Sequence, residues 1–202
     1  VRTQILPRSR GPAALLVGYA MGVAAARYPG RLIDRLVSGS AILGVSLPNF
    51  WVGVVLVILF AVQWPLLPST GVGPADAGFL GIFAWDDLRF LILPAVSLAL
   101  IPTGIIARST RAAVLDILSQ DFVTTLRANG LEESAITHHV LRNALPQVVA
   151  VVGLQFGYLM GGSILVETVF SWPGSGYLLG RAIQNRDVPL LQGTVLVLAL
   201  IF

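Results

Sequence analysis

The stretch Phe90-Leu-Ile-Leu-Pro-Ala-Val-Ser-Leu-Ala-Leu-Ile-Pro-Thr-Gly-Ile-Ile-Ala107 runs eighteen residues without a charge. A helix needs about twenty apolar residues, within roughly 17–25, to cross the hydrocarbon of a bilayer. Pro94 and Pro102 are expected to break this one. Inside a membrane, neighbouring helices satisfy the carbonyls that a proline frees. In water the same residues end a helix. Four more apolar stretches flank it, at 11–26, 42–63, 147–169 and 189–202. Pro48 lies near the start of the second, and the fourth begins just after Pro146. The reading is an all-α membrane protein, a polytopic transmembrane helix bundle with about five spans.

Composition agrees. Hydrophobic residues make up 55% of the 202 and charged residues 11%, against about 25% charged in an ordinary soluble domain. Mean hydropathy is +0.83. With no cysteine and no strict Gly or Pro period, a disulfide scaffold and collagen are excluded. All thirteen basic residues are Arg. A phosphate-binding P-loop needs a lysine, so this chain is no P-loop ATPase, and lysine-nucleophile chemistry is excluded with it. No Ser-His-Asp or paired-carboxylate set supports catalysis. The net charge of +3 and the pI near 10.0 do not mark a nucleic-acid binder, because the arginines are spread among connections rather than clustered.

Those arginines read as topology determinants. The connections 27–41 and 108–146 share a side and carry Arg27, Arg31, Arg35, Arg108, Arg111, Arg127 and Arg142. The connections 64–89 and 170–188 carry Arg89, Arg181 and Arg186. The positive-inside rule puts the seven in the cytoplasm. The stretch 1–10, with Arg2, Arg8 and Arg10, then falls outside and is left unassigned. Val1 at the start and an unfinished apolar run at Phe202 suggest a piece of a longer membrane protein.

The connection 108–146 is more than a tether. Its residues 112–118 and 121–128 have helical composition. Gly130 offers the φ > 0 conformation that ends a helix, and Glu132 and Glu133 favour the start of the next. Helix, glycine turn and helix lie at the membrane surface. Two readings stay open: interfacial connectors, or a rigid docking element for a cytoplasmic partner.

Here the chain resembles a known family, the inner-membrane permease subunits of binding-protein-dependent ABC importers. The nearest branch is the B-type permease of dipeptide, oligopeptide and nickel systems. Family members carry a cytoplasmic Glu-Ala-Ala, three residues, Gly and a later Leu-Pro. Asp121-Phe-Val123 resembles the lead-in, Arg127-Ala-Asn-Gly-Leu131 the centre and His139-Val-Leu-Arg-Asn-Ala-Leu-Pro146 the tail. Val166-Glu-Thr-Val-Phe-Ser-Trp-Pro-Gly174, Ser46-Leu-Pro-Asn-Phe-Trp51 and Arg186-Asp-Val-Pro189 are similar to stretches of the B-type branch. Thr124-Thr-Leu126 stands where Glu-Ala-Ala would fall.

The resemblance implies the type I ABC importer permease (MetI-like) fold over 11–202, truncated at both ends, with 108–146 as the coupling segment. It implies a multi-pass subunit of the inner membrane carrying short peptides, with nickel as the lesser alternative. The partners would be a second permease, two cytoplasmic ATPase subunits and an extracytoplasmic solute-binding protein. ATP and magnesium would sit on the ATPases, and this chain would hold no cofactor. Asp121, Phe122, Arg127, Ala128, Asn129, Gly130, Leu131 and Glu132 would meet an ATPase. The rival reading is a structural or channel subunit without an ATPase partner.

Four further features stand out. Gly153, Gly157 and Gly161 form a small-xxx-small face, for packing within the subunit or for a partner helix or the path. Gly18 and Gly22 make a shorter pair. Gln155 at membrane depth points to a helix–helix hydrogen bond or a path contact. Glu167 is an interfacial carboxylate or part of an outer gate. His138 and His139 are adjacent and point about 100° apart on a helix, which does not suit a metal.

Overall fold

The computed structural model describes residues 11–71, 85–162 and 164–201, and every regular element among them is helical. In chain order these are α1 (Gly11–Arg27), α2 (Leu32–Ser46), α3 (Asn49–Val57), α4 (Trp85–Leu118), α5 (Asp121–Ala128), α6 (Glu133–Gly162), α7 (Ile164–Val169), α8 (Ser175–Gln184) and α9 (Val188–Ile201). The last turns of α3 widen into a π-helix over Ile58–Gln63. The stretch 1–10 and residues 72–84 of the second connection lie outside the described residues.

Prolines redraw the expected spans. The stretch 42–63 is two helices, because Pro48 disfavours the α conformation at Leu47. Pro94 and Pro102 do not break α4. Pro102 is fully buried, so packing keeps the helix continuous through the lost hydrogen bond. α6 likewise begins at Glu133, well before Pro146, and passes through it. The carbonyl that Pro146 frees belongs to Arg142, which is exposed and open to water. Leu88–Leu118 is the one described helix long and apolar enough to cross a membrane alone; α2 and α3 with its π turn pass only as a broken pair.

The described chain divides into two compact units. One comprises Gly11–Ser46 and Ile101–Phe156. In it α1 lies against α4 through its glycine pair. A Cβ on Gly18 would sit 2.9 Å from the Thr103 carbonyl, and one on Gly22 would sit 2.6 Å from the Ala107 carbonyl. One turn up α1 matches one turn up α4, so the two helices run parallel. That places Arg27 at the same end as Arg108 and Arg111. α2 runs the other way: Asp34 meets Arg111 and Ala41 meets Gly104, where a Cβ would lie 2.7 Å from the Ala41 carbonyl.

The other unit includes Leu47–Leu100 and Gly157–Phe202. Its core is Leu93, Val166 and Phe170, flanked by Leu56, Val57, Phe60, Leu67, Leu98 and Val169. Gly53 admits the Phe170 ring, which would stand 3.1 Å from a Cβ there. The Gly71 N–H donates to the Phe170 carbonyl at 3.1 Å and ties the end of the preceding loop to that core.

Candidate functional site

The segment 108–146 is mostly helix. Its first residues are the tail of α4 and its last are the head of α6, with α5 held between them. α5 is short and too weak to form alone. It is stable because Val123 is completely buried and Phe122 and Leu126 pack beside it. They meet Ala113, Val114 and Ile117 of α4, Ile136, Val140 and Ala144 of α6, and Ala26 of α1. The α6 contributors recur every four residues, one face of a helix. Asp121 sits in the first turn of α5, where the helix dipole favours an anion.

Gly130 closes α5 as the sequence predicts. Its φ is +79°. Its N–H donates to the Arg127 carbonyl at 3.0 Å, and the Leu131 N–H reaches back to the Leu126 carbonyl at 3.2 Å. Those two bonds, with Leu126 and Leu131 both on the core, make a Schellman cap. A side chain at Gly130 would meet nothing within 4 Å, so the backbone angle alone demands glycine. Arg127 bridges the turn, its Nε donating to Glu133 Oε1 at 2.8 Å. The guanidinium holds the Glu133 carboxyl below its ordinary value, and the carboxylate raises Arg127. The pair is exposed, so it adds little energy.

The eight sequence-predicted coupling residues therefore divide. Asp121, Arg127, Ala128, Asn129, Gly130 and Glu132 are exposed. Phe122 and Leu131 face the core and anchor them from behind. Thr124 and Thr125, where the family's Glu-Ala-Ala would fall, are exposed on the same helix.

One group escaped the sequence reading. The Asp34 carboxylate is buried and accepts two hydrogen bonds from Arg111, Nη2 to Oδ2 at 2.8 Å, besides the Gly30 N–H at 2.8 Å and the Ser38 hydroxyl. The Arg111 bonds, with Gly30 behind them, hold its carboxyl far below the usual range. The two residues are 77 apart in sequence, and only the antiparallel packing of α2 on α4 brings them together.

The other predicted sites fare unevenly. Gly153 is exposed, with no atom within 4 Å of a Cβ placed on it. Among the described glycines, backbone of another segment comes within 3 Å of a Cβ placed at Gly18, Gly22, Gly104 and Gly176 instead. Gly157 and Gly161 continue along α6. Gln155 Oε1 is buried and accepts no hydrogen bond among the described residues. Glu167 is 6% exposed. Its Oε2 accepts the Tyr177 N–H at 2.8 Å, inside the first turn of α8, and the carboxylate lies directly against Gly174. It is a helix cap reaching across the Ser-Trp-Pro-Gly turn. Arg186 and Asp187 form a second joint. Arg186 takes φ = +56° in a Schellman cap on α8, and Asp187 Oδ1 accepts the Leu190 N–H at 3.1 Å to cap α9. His138 and His139 are exposed, with ring centroids 6.2 Å apart. No group of metal-ligating side chains forms among the described residues.

Comparison with known proteins matches residues 18–202 to the binding-protein-dependent transport system inner membrane component. The chain is 41% identical to the dipeptide transport system permease protein DppB of Escherichia coli K12, over 92% of this chain and 60% of that protein. It is 44% identical to a putative peptide transport system permease protein of Brucella abortus, over 92% and 58% respectively. It is 40% identical to the glutathione transport system permease protein GsiC of Salmonella paratyphi A, over 94% and 58%. The chain thus spans about three-fifths of the length of these curated relatives. With every regular element among the described residues helical and a family match over residues 18–202, the chain belongs to the family of binding-protein-dependent transport system inner membrane components.

Proposed function

We propose that the chain is a permease subunit of an ABC importer and forms part of the transmembrane path for short peptides. The observation that carries this is the mounting of α5. A short helix with an exposed polar patch is gripped by the ends of two long helices, both continuous with apolar segments. A force on the patch moves α4 and α6 rather than a slack loop. The relatives named for dipeptide, peptide and glutathione transport support the substrate class.

The patch would receive a cytoplasmic ATPase subunit. Closure of an ATPase pair on ATP and magnesium would displace α5 and, through Val123 and Phe122, the helices behind it. A second permease would complete the path, and an external binding protein would deliver the substrate. Hydrolysis would belong to the partners. The seven arginines of the first and third connections support a cytoplasmic position for the patch in an inner-membrane, multi-pass subunit.

The test is Gly130→Val in the reconstituted full-length complex. A β-branched residue at φ +79° costs about 1–2 kcal/mol or more. Asparagine tolerates that region. Insertion and capture of peptide by the binding protein should stay at wild-type levels in both variants. Gly130→Val should lower ATPase association and ATP-driven peptide uptake severalfold, and Gly130→Asn should restore most of both. Wild-type uptake in Gly130→Val would remove α5 from the coupling path. Failure of the unmodified complex to recruit any ATPase would favour a channel or structural subunit.

A further inference from the structure

We infer that the start of α2 binds anionic phospholipid, with Arg31 and Arg35 on the phosphate and Leu32 and Leu36 among the acyl chains. This goes beyond the permease reading and rests only on the chain being in a membrane.

α2 has two faces. Asp34, Ala41 and Gly44 are buried. Asp34 is locked to Arg111 and Ala41 lies on Gly104. The opposite face is left exposed among the described residues. Leu32 is 74% exposed, Leu36 71% and Leu43 66%. Leu32 and Leu36 are one turn apart, and Leu43 follows two turns on, so the three form a stripe. Arg31 and Arg35, also one turn apart, run along its edge and are exposed.

Charge settles what fits there. Between Arg27 and Ser46 the chain holds three arginines and one acid. That acid, Asp34, faces inward and is consumed by Arg111, Gly30 and Ser38. Arg27, Arg31 and Arg35 make no ion pair among the described residues; Arg31 stacks on Tyr28 at 5.3 Å. A cationic edge beside an apolar stripe has the complement of a molecule with a negative head and a hydrocarbon body. An arginine at a helix end keeps its charged head at the headgroup level while neighbouring leucines sit in the hydrocarbon. A free phosphate would satisfy the arginines and leave the leucines in water. A protein partner would need acidic residues and a groove together.

The experiment is lipid competition on the purified full chain in detergent. Equal amounts of phosphatidylglycerol and phosphatidylcholine with identical acyl chains are added, and the retained lipids are counted by native mass spectrometry. The wild type should retain phosphatidylglycerol preferentially. Each cation near the surface contributes about a fivefold preference, so Arg31→Gln with Arg35→Gln should lower the ratio by about tenfold or more. Arg31→Lys with Arg35→Lys should keep most of it. Leu32→Gln with Leu36→Gln should reduce retention of both lipids, which inorganic phosphate binding does not predict. Arg181→Gln, exposed on α8, should leave the ratio unchanged. All substituted positions are exposed, and a single gel-filtration peak checks the fold. An unchanged ratio in the glutamine pair overturns the inference. So does full displacement of phosphatidylglycerol by inorganic phosphate. So does loss of ATPase association in the glutamine pair with the lipid ratio intact, which would make α2 a protein-docking surface. If no ATPase binds the wild type but the lipid preference holds, the permease reading fails and this one stands.

Discussion

At the scale of single residues, the turns are set by a few positions whose chemistry leaves little choice. Gly130 and Arg186 occupy the same place in two Schellman caps, yet one is glycine and the other is not. The sequence announces the first, because glycine after a helical run is a known stop. It does not announce the second, since arginine carries no preference for positive φ. Glu167 was legible only as a carboxylate near a span end. Its partner, the Tyr177 N–H, lies ten residues on, and the intervening Trp172-Pro-Gly174 turn decides the geometry. Glu167→Ala should uncap α8 at about 1 kcal/mol, lowering the melting temperature by roughly 2–4 °C. Glu167→Gln keeps an acceptor oxygen and should lose less. A thermal-shift measurement in detergent checks both; an alanine variant as stable as wild type would show that α8 starts without this cap.

At the scale of elements, apolar length foretold where helices lie but misjudged where they end. Proline was taken as a boundary at 94, 102 and 146, and α4 and α6 run through all three. What the sequence hides is whether a neighbour or water meets the freed carbonyl, a matter of tertiary packing. Glycine spacing offered two candidate faces. The longer row, led by Gly153, meets nothing in the chain at that position, whereas the pair Gly18 and Gly22 seats α1 on α4. Spacing shows that a close approach is allowed; it cannot say which helix makes it. Gly22→Ala should therefore force α1 from α4 and destabilise the protein by about 1–3 kcal/mol. Gly153→Ala should be neutral or slightly stabilising, because alanine is the better helix former. Melting temperatures of the two purified variants decide this, and equal losses would mean that Gly153 is also packed.

At the scale of the whole molecule, the alternation of charge was the most readable feature. Seven of the ten arginines beyond residue 10 belong to one compact unit, the one containing α5. The parallel run of α1 and α4 agrees with two spans that cross in the same direction. The chain has no cysteine, so single introduced thiols report cleanly. Ser134→Cys should resist an impermeant maleimide in intact cells, and Thr70→Cys should react; the opposite pattern would invert the topology. The seating of α1 on α4 also has a consequence for how the protein is made. Roughly 85 residues separate Gly22 from Ala107, and a ribosome adding about 5–20 residues each second needs roughly 4–17 seconds to supply them. For that interval the glycine groove of α1 is in the membrane without the helix that fills it. The nascent chain must therefore be sheltered, by the insertion machinery or by lipid, until α4 arrives, and slowing translation between the two helices should lengthen its exposure to membrane proteases.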